Sequence, residues 1–155
     1  MIKSKWIPGQ DADFSGDVLV SVTALPLDDF LSTPGAYRAG YLLSREWPRL
    51  PGAVGQWLWA EPLRRRLGSV SVWLDHDGLR GFVGLPAHVA IMRKYRELGT
   101  TRATTWNTTG VDARLIWQRA DRWLSAIPRT DTSPVHRRQA PADGADGPRR
   151  CGRSE

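Results

Sequence analysis

His88 is the side chain of this sequence best suited to acid–base chemistry near neutral pH. It lies in the stretch SVSVWLDHDGLRGFVGLPAHVAIM, residues 69–92, among apolar residues at helical spacing. An imidazole, with an ordinary pKa of about 6.5, could remove a proton from a phenolic substrate. The same side chain could instead pack where the helix restarts and hydrogen-bond a carbonyl or a dimer partner, so the sequence leaves both roles open.

The other two histidines do not indicate metal chemistry. His76 lies beside Asp75 among polar residues and is expected to be exposed, and His136 lies in a polar segment. Their spacing matches neither HxH nor HxxxH, nor the two histidines and a carboxylate of iron sites, so no metal site is predicted. The single cysteine, Cys151, predicts neither a disulfide nor a thiolate cluster. Serine-nucleophile and phosphate-loop motifs are absent too.

Eight tryptophans are the second unusual feature of the 155 residues. Their flat rings suit stacking against a polycyclic ligand or a haem, and they also suit the filling of a core or a dimer interface. The pattern favours packing for any single tryptophan and predicts that at least one lines a pocket. Packing is the expected role of Trp6, Trp117 and Trp123.

The formal charge of +6 could suggest nucleic-acid binding, but its distribution argues against it. Residues 128–155 hold six arginines and four acids, which leaves a net charge of +4 for residues 1–127. The cluster from Arg64 to Arg66 follows Pro62 between two strand patterns and predicts a solvated hairpin loop. The sequence has neither a recognition helix nor an RNA-binding signature, so we expect no nucleic-acid partner.

Residues 17–127 are predicted to form the folded domain. Residues 1–16 are polar, with Pro8 and Gly9, and predict a flexible lead-in, while residues 128–155 predict a disordered polar tail. No apolar run reaches the roughly 20 residues that span a bilayer, and no signal-peptide core is present. We therefore expect a cytoplasmic protein that does not interact with membranes.

Hydrophobic periodicity and turn signals place the elements of this domain. Strands are predicted at 18–24, 53–61, 69–75 and 101–107. Large apolar groups fall on both faces of the middle strands, which predicts a sheet buried on both faces. The predicted helices begin after a Thr33-Pro34 start signal, after an Asp75 cap with a restart at Pro86, and after an Asp112 cap.

The order β-α-β-β-α-β plus a C-terminal helix predicts an α+β fold with a ferredoxin-like antiparallel sheet. Right-handed crossovers would place both connecting helices on one face. The other apolar face would then be uncovered within one chain, so a second copy is the expected cover. Two such sheets facing each other would make a homodimer, a dimeric α+β barrel.

Two segments resemble a known superfamily. PGAVGQWLW at 51–59 and the stretch at 69–92 resemble the entry into strand two and the strand-to-helix unit of the dimeric α+β barrel superfamily. The resemblance is to proteins related to antibiotic-biosynthesis monooxygenases, and it covers about residues 17–107. It implies a fold rather than one reaction, because the superfamily includes cofactor-free oxygenases, haem-degrading enzymes, cyclases, dehydratases and members without known activity.

The resemblance also implies a pocket between the helices and the sheet. In cofactor-free members an electron-rich phenol or enol is thought to reduce oxygen itself, while the protein supplies deprotonation, orientation and a water-poor cavity. His88 would be the catalytic base or a carbonyl-orienting donor. The substrate-binding residues would be the polar anchors Tyr41, Tyr95 and Arg102 and the walls Trp57, Trp73, Phe82 and Trp106, with Asn107 a further polar candidate.

Haem degradation fits the resemblance less well. Haem-degrading relatives use a ligand histidine about one turn beyond the superfamily's common histidine, and if His88 is the common one, that position holds Met92. Phe82 occupies the place of their helix tryptophan. We therefore expect no tightly bound cofactor, with a haem held by His88 in a different geometry as the alternative.

The residues and the resemblance together predict a small-molecule enzyme of secondary metabolism. It would resemble the cofactor-free monooxygenases and act on an aromatic or polyketide-like substrate. A cyclase or dehydratase would need the same acid–base positioning in a dry pocket. A non-catalytic dimer that binds haem or another small molecule is the third alternative, because a fold does not define a function.

Overall fold

A six-stranded sheet organises the fold. The computed structural model describes residues 1–27, 32–95 and 99–127. The strands are β1 (Ile2–Lys3), β2 (Ile7–Pro8), β3 (Asp17–Pro26), β4 (Ala53–Glu61), β5 (Arg66–Trp73) and β6 (Arg102–Thr109). The helices are α1 (Ser32–Leu43), α2 (His76–Val83), α3 (Pro86–Tyr95) and α4 (Ala113–Ala126), with 3₁₀ turns at Ser44–Arg49 and Pro62–Arg64.

The four long strands lie in the order β4-β5-β3-β6, and each pairing is antiparallel. Helix α1 connects β3 to β4, and α2 and α3 connect β5 to β6, so the chain has the predicted ferredoxin-like α+β fold. The N-terminal segment differs from the prediction. Residues 1–16 are not simply a flexible lead-in, because both β1 and β2 pair with β4.

The predicted helix start signals explain where the helices begin. The Asp75 carboxylate accepts hydrogen bonds from the backbone N–H groups two and three residues further on, and Asp112 does the same. Both predicted caps are therefore confirmed. Pro86 is the first residue of α3, which confirms the predicted restart after α2.

Some sequence predictions fall outside the described residues. These are the tail at 128–155, residues 28–31 of a turn and short helical piece predicted at 25–31, residues 96–98 of the helix predicted to stop at Gly99, and the side-chain cap of Thr33. Within the described ranges, no helix combines the length and the apolar character needed to cross a bilayer.

The two faces of the sheet carry different cores. Both connecting helices lie on one face, as predicted, and there Leu19 and Trp73 pack with Trp47 and Leu50. The opposite face carries the larger cluster, with Val18, Val20, Val22, Ala24, Val54, Trp57, Trp59, Val70 and Val72 from the sheet and Ile116, Trp117, Ala120, Leu124 and Ile127 from α4 and its C-cap.

Helix α4 therefore covers the face that was expected to be open. Ile116, Ala120 and Leu124 recur every four residues, so they form one apolar stripe that packs against the sheet. The expectation that this face is uncovered within one chain is wrong. Homodimer formation stays a prediction, but the apolar sheet face no longer supports it.

The N-terminal segment packs with α4 over this same face. The rings of Trp6 and Trp57 have centroids 4.3 Å apart, and those of Trp57 and Trp117 are 6.0 Å apart. The Lys3 ammonium lies 3.6 Å from the centroid of the Trp117 ring and 3.3 Å from the Asp121 carboxylate. Residues of the N-terminal segment and of α4 therefore cover β4 together.

Arg66 corrects a second prediction, because it is not part of a solvated loop. It begins β5 and is 6% exposed. Its guanidinium donates to the Glu61 carboxylate through Nε at 2.8 Å and also through Nη2, and Nη1 donates to the carbonyl of Leu124 at 2.9 Å. Because Leu124 belongs to α4, this buried arginine joins the β4–β5 hairpin to the covering helix.

Replacement of Arg66 by alanine is expected to lower the free energy of unfolding by about 3 kcal/mol. The substitution leaves the Glu61 carboxylate largely buried, with the half-exposed Arg64 guanidinium 3.8 Å away. Urea unfolding followed by tryptophan fluorescence measures the change. Arg64→Ala is the matched control and should cost less than about 1 kcal/mol, because Arg64 is half exposed. Equal effects of the two substitutions would contradict the structural role of Arg66.

Candidate functional site

A cavity of about 350 Å³ lies between the sheet and the helices α1, α2 and α3. Its volume falls at the lower end of the range of about 300–1,000 Å³ that small-molecule sites occupy. Four strands supply its floor and three helices its other walls. The cavity therefore lies in the position that the family resemblance implies for a pocket.

Apolar and aromatic side chains dominate the helical walls. Trp47 and Phe82 meet at one end of the cavity with ring centroids 4.7 Å apart, and Phe82 also contacts Trp73 at 5.4 Å. Further along, the walls are formed by Ala36, Leu43, Leu79, Ile91 and Met92. Such walls favour a ligand with large apolar faces.

The floor is more polar than the walls. Side chains alternate across the sheet, so one residue in two on each strand points into the cavity. On β3, β4, β5 and β6 these inward positions include six polar residues, which are Ser21, Thr23, Gln56, Ser69, Ser71 and Thr105, beside the apolar Leu25, Leu58, Leu67 and Ala103. The floor can therefore form hydrogen bonds with a ligand that the walls hold by apolar contact.

Among the described residues that line the cavity, none carries a carboxylate, an ammonium or a guanidinium. The polar groups are hydroxyls, one carboxamide, the indole N–H of Trp47 and the imidazole of His88. Transfer of a charged ligand into these surroundings would be unfavourable, because no opposite charge would compensate for its lost hydration. The lining is best suited to an uncharged molecule.

His88 lies at the rim of the cavity, on the first turn of α3. Its Nδ1 atom is 3.1 Å from the carbonyl oxygen of Val83, the last residue of α2, and its ring packs against Phe82 with centroids 4.6 Å apart. A carbonyl only accepts hydrogen bonds, so Nδ1 must carry the proton in the neutral ring. The lone pair of Nε2 is then left to accept a proton.

Burial lowers the pKa of His88 below its ordinary value of 6.5. Loss of hydration disfavours the charged imidazolium, and this effect exceeds the opposite influence of the hydrogen bond to Val83. His88 is therefore mainly neutral at pH 7. A neutral imidazole with a free Nε2 is the form that a general base requires.

A second, shallower cavity of about 450 Å³ adjoins the first. The two share Val83, His88, Met92 and Thr101, while Arg93 lines only the outer one. His88 thus stands where the inner cavity meets the outer space. A molecule that enters from the outer cavity would pass the imidazole.

Three of the predicted site residues line the inner cavity, namely His88, Phe82 and Tyr95. Trp73 lies next to them but fully buried, and its indole N–H donates to the hydroxyl of Ser71 at 2.9 Å. It supports the floor and the Phe82 wall rather than lining the cavity. Tyr41 is 49% exposed on α1 and does not line the cavity.

The other three predicted site residues lie on the face of the sheet that is turned away from the cavity. Trp57 and Trp106 pack on the side of α4, where the Arg119 guanidinium lies 4.9 Å from the centroid of the Trp106 ring. Arg102 pairs with Ala24, a residue of that same core, and is exposed. Strand alternation therefore places all three away from the cavity that they were expected to line.

The polar floor was not predicted from the sequence. Ser21, Gln56 and Ser71 have apolar or glycine neighbours on both sides in their strands, and each is at most 4% exposed. A buried polar side chain in an apolar strand is itself a signal, because it requires a hydrogen-bonding partner. Tyr37 and Trp47, which line the opposite side, were also missed.

The lining does not fit a haem. His88 could offer Nε2 to an iron, but two haem propionates need cationic partners, and the described residues of the inner cavity supply none. The position one turn after His88 is Met92, as expected from the sequence.

The fold and the cavity define a class, a ferredoxin-like α+β protein with a small-molecule cavity between helices and sheet. No protein-family model matches the chain, and no curated protein matches it. Solved structures do, and they show that the chain has the fold of the antibiotic-biosynthesis-monooxygenase-like proteins.

Three of these structures show the extent of the likeness. A Nitrosomonas europaea protein, provisionally described as an antibiotic biosynthesis monooxygenase, has a TM-score of 0.52 and 11% identity over 64% of this chain and 96% of its own. A Shewanella oneidensis protein has a TM-score of 0.53 and 16% identity over 61% and 94%. The cofactor-independent oxygenase SnoaB from Streptomyces nogalater has a TM-score of 0.48 and 20% identity over 63% and 97%. At such identities the likeness shows the fold alone.

Proposed function

We propose that the protein is a cofactor-free monooxygenase that acts on an uncharged aromatic or polyketide-like molecule. The observation that carries the proposal is the position of His88, a neutral imidazole with a free Nε2 at the rim of an uncharged, largely apolar cavity. The fold shared with the protein from Nitrosomonas europaea is compatible with this activity. The substrate itself supplies the electrons, so the proposal needs no bound cofactor.

The proposed reaction converts a ring methylene next to a phenol or enol into a ketone. His88 takes a proton from the substrate, and the resulting carbanion-like enolate gives its electrons to molecular oxygen, forming a carbon–oxygen bond and a hydroperoxide. Loss of water from the hydroperoxide gives the ketone. One oxygen atom of O₂ enters the product, the other leaves as water, and the proton taken by His88 returns to that water.

The cavity contributes to this reaction in two ways. Its apolar walls exclude water from the anion, which would otherwise be protonated again. The polar floor holds the substrate oxygens and keeps the acidic C–H or O–H group near the rim where His88 lies. Proton transfer by a positioned base contributes about 10²–10⁴-fold to a rate.

Oxygen uptake with 1,8-dihydroxyanthrone tests the proposal. We expect the protein to increase uptake above the uncatalysed rate, with one ¹⁸O atom from ¹⁸O₂ in the ketone product by mass spectrometry. Heat-treated protein is the control for spontaneous oxidation. A protein that binds the probe but leaves the uptake rate unchanged would support the alternative of a non-catalytic binder.

A cyclase or dehydratase is the rival enzyme, because a neutral base at the rim of a dry cavity serves those reactions equally well. The two are separated by oxygen. Consumption of an aromatic or polyketide-like substrate that continues under strict anaerobiosis would exclude the oxygenase and favour the rival.

A further inference from the structure

One row of the cavity floor crosses all four long strands in register. Gln56 on β4 lies opposite Ser71 on β5, Ser71 lies opposite Ser21 on β3, and Ser21 lies opposite Thr105 on β6. All four side chains line the cavity. The row therefore forms a straight line of polar groups beneath whatever occupies it.

Some side chains of this row already form hydrogen bonds within the protein, and others do not. The Ser71 hydroxyl accepts from the indole of Trp73 at 2.9 Å and donates to the backbone carbonyl of Ser21 at 3.3 Å. The side chains of Gln56 and Ser21 make no hydrogen bond with any residue in the described ranges, although they are only 3% and 4% exposed. Both side chains border the cavity with their bonding capacity unused.

The next row of the floor shows what a completed pair looks like. There Thr23 and Ser69, on the same two strands as Ser21 and Ser71, bond to each other with their hydroxyl oxygens 3.0 Å apart. A buried polar group without a partner is unfavourable, so sheets normally pair such side chains in this way. Gln56 and Ser21 lack such a pair and border the cavity, so their polar groups are available to a ligand.

We infer that Gln56 and Ser21 anchor the two ends of one edge of a planar, uncharged ligand that carries an oxygen function at each end. The inference rests on the proposed function, since it names the substrate class of the same cavity. Gln56 and Ser21 lie two strands apart, about 10 Å between their backbones, and side chains stand roughly perpendicular to the sheet. This is comparable to the length of a fused aromatic system of two or three rings with an oxygen at either end.

The chemistry of the two anchors defines the ligand further. The Gln56 carboxamide offers both a donor and an acceptor, so it can bind a hydroxyl or a carbonyl, and the Ser21 hydroxyl can do the same. Neither side chain carries a charge, so neither would attract a charged ligand group. An oxygenated fused-ring ligand satisfies both anchors while its faces contact Trp47 and Phe82.

Binding of a probe series tests the inference without any turnover. The probes are 2,6-dihydroxynaphthalene, 2-naphthol and naphthalene, which carry two, one and no oxygens, and binding is followed by calorimetry. We expect affinity to rise about tenfold with each oxygen. Gln56→Leu and Ser21→Ala should each remove about one of these two factors of ten for the dihydroxy probe and leave naphthalene binding unchanged.

Ser69→Ala is the matched control, because its hydroxyl faces the same cavity but is already bonded to Thr23. It should keep the full preference for the dihydroxy probe. Thermal unfolding provides a second readout. Gln56→Leu replaces an unpaired amide with an apolar group of similar size, so its Tm should stay unchanged or rise; a large fall would mean that Gln56 holds the fold and not a ligand.

Two results would overturn the inference, and they differ in what else they affect. If all three probes bind with equal affinity, or if Gln56→Leu keeps the preference for oxygens, Gln56 is no anchor, yet the proposed aromatic-binding cavity remains. If none of the probes binds, both the anchors and the cavity's proposed preference for aromatic ligands are wrong.

Discussion

The substitution His88→Ala is expected to lower kcat for 1,8-dihydroxyanthrone oxidation by about 10²–10⁴-fold, the contribution of a positioned general base. The substitution removes Nε2, the proton acceptor at the cavity rim, and leaves the polar floor and the aromatic wall in place. KM should change little, because Gln56, Ser21 and the walls provide the binding. Steady-state oxygen uptake measures both constants.

The pH dependence distinguishes a base from a packing residue. Burial holds the pKa of His88 below 6.5, so the active, neutral imidazole prevails at pH 7. We expect kcat/KM to fall as the pH decreases through this lowered pKa, with a midpoint below 6.5, and to level off above it. The acid limb should disappear in His88→Ala.

The exposed histidine on α2 supplies the control. His76→Ala removes an imidazole that does not line the cavity, so its rate and pH profile should match those of the unaltered protein. If His88→Ala keeps its turnover, His88 is not the base, and its hydrogen bond to Val83 and contact with Phe82 are then its only role. Circular dichroism of both variants confirms that the fold is retained.

Much of the fold could be predicted because local signals coincide with the final structure. Asp75 and Asp112 cap helices, Pro86 restarts one, and β-branched runs form strands, since each depends on interactions within a few residues. The position of α4 could not be predicted in this way. Its apolar stripe identifies an amphipathic helix but not the surface that the stripe will cover, which depends on contacts far apart in the sequence.

The faces of the tryptophans were harder to predict for a geometric reason. The β4–β5 turn pairs Glu61 with Arg66, so from Gly55 to Glu61 the odd-numbered residues of β4 lie opposite even-numbered residues of β5. Trp57 therefore shares a face with Val70, while Trp73 points to the other side. A turn longer or shorter by one residue would place both rings on one face, so the site walls depend on a register that composition does not define.

Three helix residues of the cavity could be predicted from the sequence, whereas the strand residues of its floor could not. His88, Phe82 and Tyr95 come from helices whose spacing directs them toward the sheet, and they do line the cavity. Ser69 and Ser71 alternate with Val70 and Val72, a pattern that usually indicates a solvent-exposed face. Here the polar face borders a cavity, because helices cover it without filling it.

The second large effect is expected from detachment of α4. The substitution Ala120→Arg places a long cation at a fully buried position on the helix face that packs on the sheet. The guanidinium cannot be hydrated there, and its volume cannot be accommodated, so we expect a loss of more than about 4 kcal/mol of stability or release of the helix. Gln118→Arg, on the exposed side of α4, is the matched control and should change stability by less than about 0.5 kcal/mol.

Release of α4 should also change the oligomeric state. In the intact chain the helix covers Trp57, Trp59 and the valines of the sheet, so we expect the full chain not to associate through this face in sedimentation velocity. A chain that ends at Gly110 lacks α4 and exposes this large apolar face, which another copy can cover. We expect this shortened chain to form dimers or larger species at the same protein concentration.

The two sedimentation experiments distinguish whether α4 or a second copy of the chain buries the apolar face of the sheet. A shortened chain that self-associates while the full chain is monomeric means that α4 takes the place that a second copy was predicted to fill. A shortened chain that associates no more than the full chain would contradict the covering role of α4 in solution. A full chain that is already dimeric would place its dimer interface on another surface, because α4 occupies this face.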